Sequence, residues 1–167
     1  MNDPVATGDA VTVSLGRGAS LADAVGPRGH VLIELIDEHG TVKDCREVDN
    51  LVVTAGKNHI ADQLSSSPGD AAMSHMAIGT GSTAPAAGNT ALGTEIDRNA
   101  LTSRTDATNV VTYVGDWAAG DGTNSAIAEA GIFNAASVGT MLARATFTAI
   151  NKGASDTLKI TWTVTIG

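Results

Sequence analysis

Hydrophobic and polar positions alternate most cleanly near the C-terminal end, where Leu158, Ile160, Trp162, Val164 and Ile166 interleave with Lys159, Thr161, Thr163 and Thr165. A period of two places successive side chains on opposite faces of a strand, so this segment predicts a strand with one buried and one wet face. Residues 110–117 repeat the pattern, with Val111, Tyr113 and Trp117 on one face. The run 31–37 is apolar and partly β-branched, Glu38, His39 and Gly40 supply a turn, and 41–48 returns as a more polar strand. These features predict a hairpin whose second strand lies near an edge or an exposed face. Further strands are expected at 76–78, 127–133 and 141–150, with 98–104 extended.

One stretch reads differently. Thr54 can cap a helix over 55–64, in which Ile60 and Leu64 stand four apart on one face, and the run Ser65, Ser66, Ser67, Pro68, Gly69, Asp70 ends it. Short strands at turn-bounded spacing around a single helix indicate a sandwich, jelly roll or barrel. The expected fold is therefore mainly β: a single antiparallel β-sandwich or jelly-roll-like domain over residues 30–167. Residues 1–29, rich in Gly, Ala, Asp and Ser, carry only the short apolar pattern Val11, Thr12, Val13, Ser14, Leu15. They are expected to form an extended N-terminal arm, unable to repay their ordering entropy alone.

Composition sharpens this picture. At 167 residues, 43% hydrophobic but 3% aromatic, the chain suits one domain with a core of Val, Ile, Leu and Ala around a few rings. Trp117, Phe133, Phe147 and Trp162 are the expected anchors of the sandwich core or, if copies associate, of the interface between them. A net charge of −8 argues against binding a phosphate backbone, which relies on Lys and Arg displacing counterions. Cys45 is the single cysteine, which excludes an intramolecular disulfide and a cysteine-based metal cluster; it reads as a small strand residue. No apolar run approaches the roughly 20 residues that span a bilayer. The N-terminal sequence shows neither a basic region nor an apolar core of a signal peptide, so synthesis and assembly in a cytoplasm are expected.

Motifs that suggest chemistry do not hold together. Gly79, Thr80, Gly81, Ser82, Thr83 and Ala84 imitate a dinucleotide fingerprint, yet Pro85 to Asn89 continue as turns rather than opening a helix. Gly56 and Lys57 resemble the end of a phosphate loop, but Leu51 occupies the place of its first glycine and Asn58 that of its Ser or Thr. His30, His39, His59 and His75 are scattered singly without metal-ligand spacing. Asp116, Asp121 and Asn124 could offer oxygens to calcium but lack the order of a calcium loop. Glu95, Asp97 and Glu129 form no recognisable acid pair. Glu129 stands out because it interrupts the apolar segment 127–133, where a salt bridge to Arg98 or Arg144 would satisfy it. No catalytic, cofactor or metal residue is assigned, and no enzyme activity is expected.

The segments Ala77-Ile78-Gly79-Thr80-Gly81 with Thr83-Ala84-Pro85, Thr90-Ala91-Leu92-Gly93, Glu129-Ala130-Gly131-Ile132-Phe133-Asn134, Met141-Leu142-Ala143-Arg144, and Asn151-Lys152-Gly153 with Ile160-Thr161-Trp162-Thr163-Val164 resemble small structural proteins of tailed phages and prophages. The resemblance spans about residues 50–167 and leaves the arm outside. It implies a capsid decoration or minor capsid protein, or else a tail-fibre or baseplate module that binds a host receptor or glycan, with no catalytic motif to carry over. The short chain, lacking heptads or a repetitive shaft, favours decoration. The expected partners are the major capsid protein and further copies of this chain, a trimer being suited to lattice junctions, with no direct contact to nucleic acid or membrane. Expected shell contacts are the 1–29 arm and the 79–89 loop, and the expected location is the capsid surface of the virion.

Overall fold

The computed structural model describes residues 26–167; most of the expected arm, residues 1–25, lies outside the described residues. The strands are β1 (Arg28–Ile36), β2 (Val42–Val52), β3 (His75–Gly79), β4 (Glu95–Ala100), β5 (Ser103–Ala107), β6 (Val110–Trp117), β7 (Asn124–Phe133), β8 (Met141–Lys152) and β9 (Thr157–Thr165), with α1 (Thr54–Gln63) between β2 and β3. They form one nine-stranded sheet in the order β4-β3-β7-β8-β2-β1-β9-β6-β5, and every pairing is antiparallel. The fold is mainly β with one short helix, as the pattern of the sequence predicts.

The sheet curls because of where its weakest seam falls. β2 meets β8 only through Leu51 opposite Arg144 and Val52 opposite Ala143, while Gly29–Leu35 of β1 stay in register with Asp44–Asn50 of β2 before a shift at Ile36. Two wings, β4-β3-β7-β8 and β2-β1-β9-β6-β5, therefore swing toward one another about this seam. The outer strands β4 and β5 are consecutive in the chain, and only Leu101 and Thr102 join them. Around that join Leu101 donates to the Ser74 carbonyl, Thr102 donates to Val114, and Asn99 Nδ2 donates to Asp116 O at 3.0 Å. The far edges of the sheet are thus tied together.

The space between the wings holds the main core, with Val31, Ile33 and Leu35 of β1, Leu158, Ile160, Trp162 and Val164 of β9, Met76 and Ile78 of β3, and Trp117 of β6. The alternation of β9 is realised residue by residue, although Ile166, counted with it in the sequence, lies beyond the strand and is 40% exposed. Trp117, Phe133, Phe147 and Trp162 are all buried within the single chain, but in two clusters. Phe133 belongs to a smaller one with Val53, Ala77, Leu92 and Met141. That second cluster lies on the other face of β3 and β7, which explains why residues 127–133 are buried on both faces and read as a nearly continuous apolar run.

The hairpin turn forms as expected. Gly40 takes a positive φ of 83°, which costs glycine little, while Asp37 Oδ1 accepts from the N–H groups of His39 and Thr41. The helix differs from expectation. Its N-cap is Val53, with no side-chain cap, and its buried residues are Gly56 and His59; Thr54 does not cap, and Leu64 is 83% exposed. The cause is close backbone packing: a Cβ on Gly56 would collide with the Leu142 carbonyl of β8. In an open helix Gly→Ala gains about 1 kcal/mol. Here Gly56→Ala is expected to destabilise the fold by about 1–3 kcal/mol through overpacking, read as a lower urea midpoint at unchanged slope.

Candidate functional site

The segment between β3 and β4 folds back over the outer face of β3, β7 and β8, and a buried ion pair holds it there. Glu129 of β7 lies opposite Gly79 of β3, and Arg144 of β8 lies opposite Gly131, two residues along the same strand as Glu129. The two side chains therefore meet on a diagonal, within reach of long groups. Glu129 is fully buried and Arg144 nearly so. Arg144 donates from Nε at 2.9 Å and from Nη2 at 2.7 Å to Glu129 Oε2.

Three backbone donors of the loop complete the carboxylate. Gly81 N–H and Thr94 N–H donate to Oε1 at 2.9 and 2.7 Å, and Gly93 N–H donates to Oε2 at 2.9 Å. The remaining arm of the guanidinium donates from Nη1 to Asn89 Oδ1 at 3.1 Å, and the same oxygen receives the Ala86 N–H. Farther along, Thr54 N–H donates to Ala87 O, so the start of α1 also fastens the loop. A single acidic side chain thus holds both legs of the loop, while 82–84 and 86–88 at its crest are exposed.

This geometry explains the glycines that imitate a nucleotide motif. A Cβ on Gly79 would run into the Thr94 carbonyl and Glu129, and one on Gly81 would run into the Glu129 carboxylate. They are absent side chains that let backbone reach a buried acid. Burial by itself pushes the Glu129 carboxyl up, but the N–H groups of Thr94 and Gly93, the Arg144 guanidinium and the Gly81 N–H outweigh it and hold the carboxyl below its ordinary value.

Arg98, the other expected partner of Glu129, is used elsewhere. It pairs with Glu95 at 2.7 Å, stacks 3.7 Å over the Phe133 ring, and donates to the carbonyls of Ala135 and Val138. Glu95 and Glu129, two of the three acids considered together in the sequence, therefore serve separate arginines. Asp97 and Asp121 act electrostatically on Lys152, whose ammonium group donates to Ala118 O at 2.9 Å. Asp156 joins them and is itself bridged by Lys43 at 2.7 Å. Burial lowers the Lys152 ammonium and these three acids oppose the shift without cancelling it. Of the three candidate calcium ligands, Asp121 thus acts on a lysine of the chain, and among the described residues no group of three or more His, Cys, Asp or Glu is arranged to hold a metal.

The histidines are as dispersed as their spacing suggests. His59 is buried with Nδ1 3.4 Å from Asp70 Oδ2, His75 contacts Ser74 Oγ, and His30 and His39 stand at the surface beside acidic side chains. Cys45 is exposed on β2. No helix among the described residues is long and apolar enough to cross a membrane. Lys152 and Asn89 are buried or half-buried positions that sequence reasoning missed. The turn residues preceding Asn89 carry its only visible signal.

Glu129→Gln keeps the size of the side chain but turns an NH₂ toward donors, and Arg144→Met leaves the acid unpaired. Each is expected to destabilise by about 3–5 kcal/mol in urea titration, and each should open the 82–91 loop to proteolysis. The Glu129→Met/Arg144→Met double variant should recover little of the loss, because the Gly81, Gly93 and Thr94 N–H groups are left without an acceptor. Because the folded carboxyl titrates below its unfolded value, its contribution is complete above about pH 4.5 and disappears as pH falls through the folded value. The stability gap between the parent and Glu129→Gln should therefore narrow in acid and stay constant from pH 5 upward.

Comparison with protein-family models, curated proteins and solved structures returns no match.

Proposed function

We propose that this chain is a structural, non-catalytic protein of a tailed-phage particle, placed on the capsid surface, where it binds the assembled lattice of the major capsid protein. The observation that carries the proposal is the use made of the resembling segments. Residues 77–81, 90–93, 129–134 and 141–144 converge on the Glu129–Arg144 pair and its hydrogen bonds, whose product is a firmly held, exposed loop rather than a reaction centre. A loop fixed before contact loses little conformational freedom when a partner is bound, which favours docking. In this reading the two wings facing each other across the main core act as a sandwich-like unit, and copies cluster, as a trimer, over lattice junctions.

Decoration is favoured over the tail-adhesion alternative by the fate of the aromatics. Glycan sites present exposed ring faces, whereas Tyr113, Trp117, Phe133, Phe147 and Trp162 are each at most 9% exposed. Binding only the assembled shell would stabilise that state by mass action. The test adds the purified protein to phage heads that lack it and measures co-sedimentation and the heads' resistance to heat and chelator. Saturation at a regular number of copies per head, with a gain in resistance, is expected. Indifference of the heads together with retention on host cells or cell-wall glycans would replace this reading with the tail module.

A further inference from the structure

At the end of the sheet where α1 sits, a cleft opens between the helix and strands β6 and β9. Its inner lobe, about 190 Å³, is lined by Ile60, Leu64, Val111, Leu142, Val164 and Ile166. Its wider mouth runs to Arg104 and Asp106 of β5. His59 and Tyr113 line both parts, so the apolar lobe and the polar mouth meet at these two side chains. An apolar chamber of about 150 Å³ takes one benzene ring, and the lobe is therefore large enough for a ring or a short alkyl chain.

Both residues are nearly buried, His59 at 5% and Tyr113 at 7% exposed, yet each keeps a polar atom that the protein leaves unpartnered. His59 turns Nδ1 to Asp70 Oδ2 at 3.4 Å. A carboxylate oxygen accepts, so Nδ1 carries a hydrogen and Nε2, across the ring, is left over. Among the described residues neither Nε2 nor the Tyr113 hydroxyl meets a hydrogen-bond partner. Neither is sealed into the core as the indole N–H groups of Trp117 and Trp162 are. Both open on the cleft, where the polar head of a ligand can complete them.

Charge decides which head group fits. Arg104 stands directly opposite Tyr113 in the β5–β6 pairing, and of its guanidinium only Nη1 is engaged among the described residues, donating to Met73 O at 2.7 Å. Burial pushes the Tyr113 hydroxyl up, and the Arg104 charge opposes this without cancelling it, so the hydroxyl stays a donor in neutral solution. A guanidinium and a hydroxyl that both donate call for an acceptor of negative charge. Asp106 also borders the mouth, two residues along β5 and opposite Val111, which disfavours a doubly charged phosphate over a singly charged carboxylate. We propose that the cleft binds a small amphipathic carboxylate, with its head among Arg104, Tyr113 and His59 and its apolar part in the lobe. The apolar part covers Leu64 and Ile166, which are otherwise 83% and 40% exposed. This holds whether or not the chain belongs to a phage particle.

The test titrates octanoate into the isotopically enriched full chain, with 1-octanol as the uncharged control of equal chain length. Octanoate is expected to bind saturably, to shift the backbone amide signals of 59–64, 111–113 and 164–166, and to bind about tenfold more tightly than octanol. Arg104→Gln should weaken octanoate about tenfold and Tyr113→Phe about fivefold, each with little effect on octanol, whereas Asp106→Asn should tighten octanoate. Tyr113→Phe keeps the ring and its packing, so it reads the hydroxyl even if Arg104→Gln disturbs β5. Equal affinity for octanol and octanoate would overturn the proposal, since it would leave an apolar hollow without a head-group site. So would octanoate shifts that do not saturate, or an octanoate affinity unchanged by both Arg104→Gln and Tyr113→Phe.

Discussion

A carboxylate taken out of water keeps its charge only if donors meet its oxygens, and Glu129 has donors from three directions. Arg144 neutralises it from the neighbouring strand, and the legs of one loop bring N–H groups to both oxygens. The requirement works backward onto the sequence. Glycine is needed at 79 and 81 because any side chain would occupy the volume through which the backbone approaches. Asn89 is needed to take the remaining guanidinium arm and to close the turn at Ala86. With that network in place, Leu92 and Phe133 are covered and the second cluster exists; without it, one face of β7 would be apolar surface facing solvent.

The main core depends on a different constraint, the narrow seam between β2 and β8. Two residue pairs there join wings that are otherwise free to turn toward each other, and the two-residue link between β4 and β5 limits how far they can open. Few aromatics suffice for such a core because it is enclosed on both sides by strands dense in Ile, Val and Leu. The two tryptophans sit on β6 and β9 of one wing, with the aliphatic side chains of β3 and β7 in the same cluster.

Legibility in the sequence followed the range of the interaction. Strand periodicity, the Gly40 turn and the position of the helix are local, and they could be read directly from residues 31–48, 55–64, 110–117 and 158–166. The helix face could not, because Gly56 is buried by contact with a carbonyl from 86 residues later, and no apolar spacing announces that. Glu129 could be noticed as an acid within an apolar run, and Arg144 as one of two partners. Its choice over Arg98 rests on the pairing of β7 with β8, which is a matter of strand order. For the same reason Lys152 showed no sign of burial: its acids come from β4, from the turn after β6 and from the turn before β9. The single curled sheet likewise emerges only when strand order is known, since alternation marks strands without saying which of them are neighbours.

The position of β9 between β1 and β6 bears on how the chain comes to be folded at all. β1 and β6 are made early and midway in synthesis, yet each needs β9 as a hydrogen-bonding neighbour, and β9 is not complete until residue 165. Until then the β1–β2 hairpin and the β5–β6 hairpin each carry an open edge and an uncovered apolar face. Pairing over such sequence distances is slow. The β1–β2 and β5–β6 hairpins are therefore joined only when a strand synthesised after both is inserted between them, rather than added at the margin of the sheet.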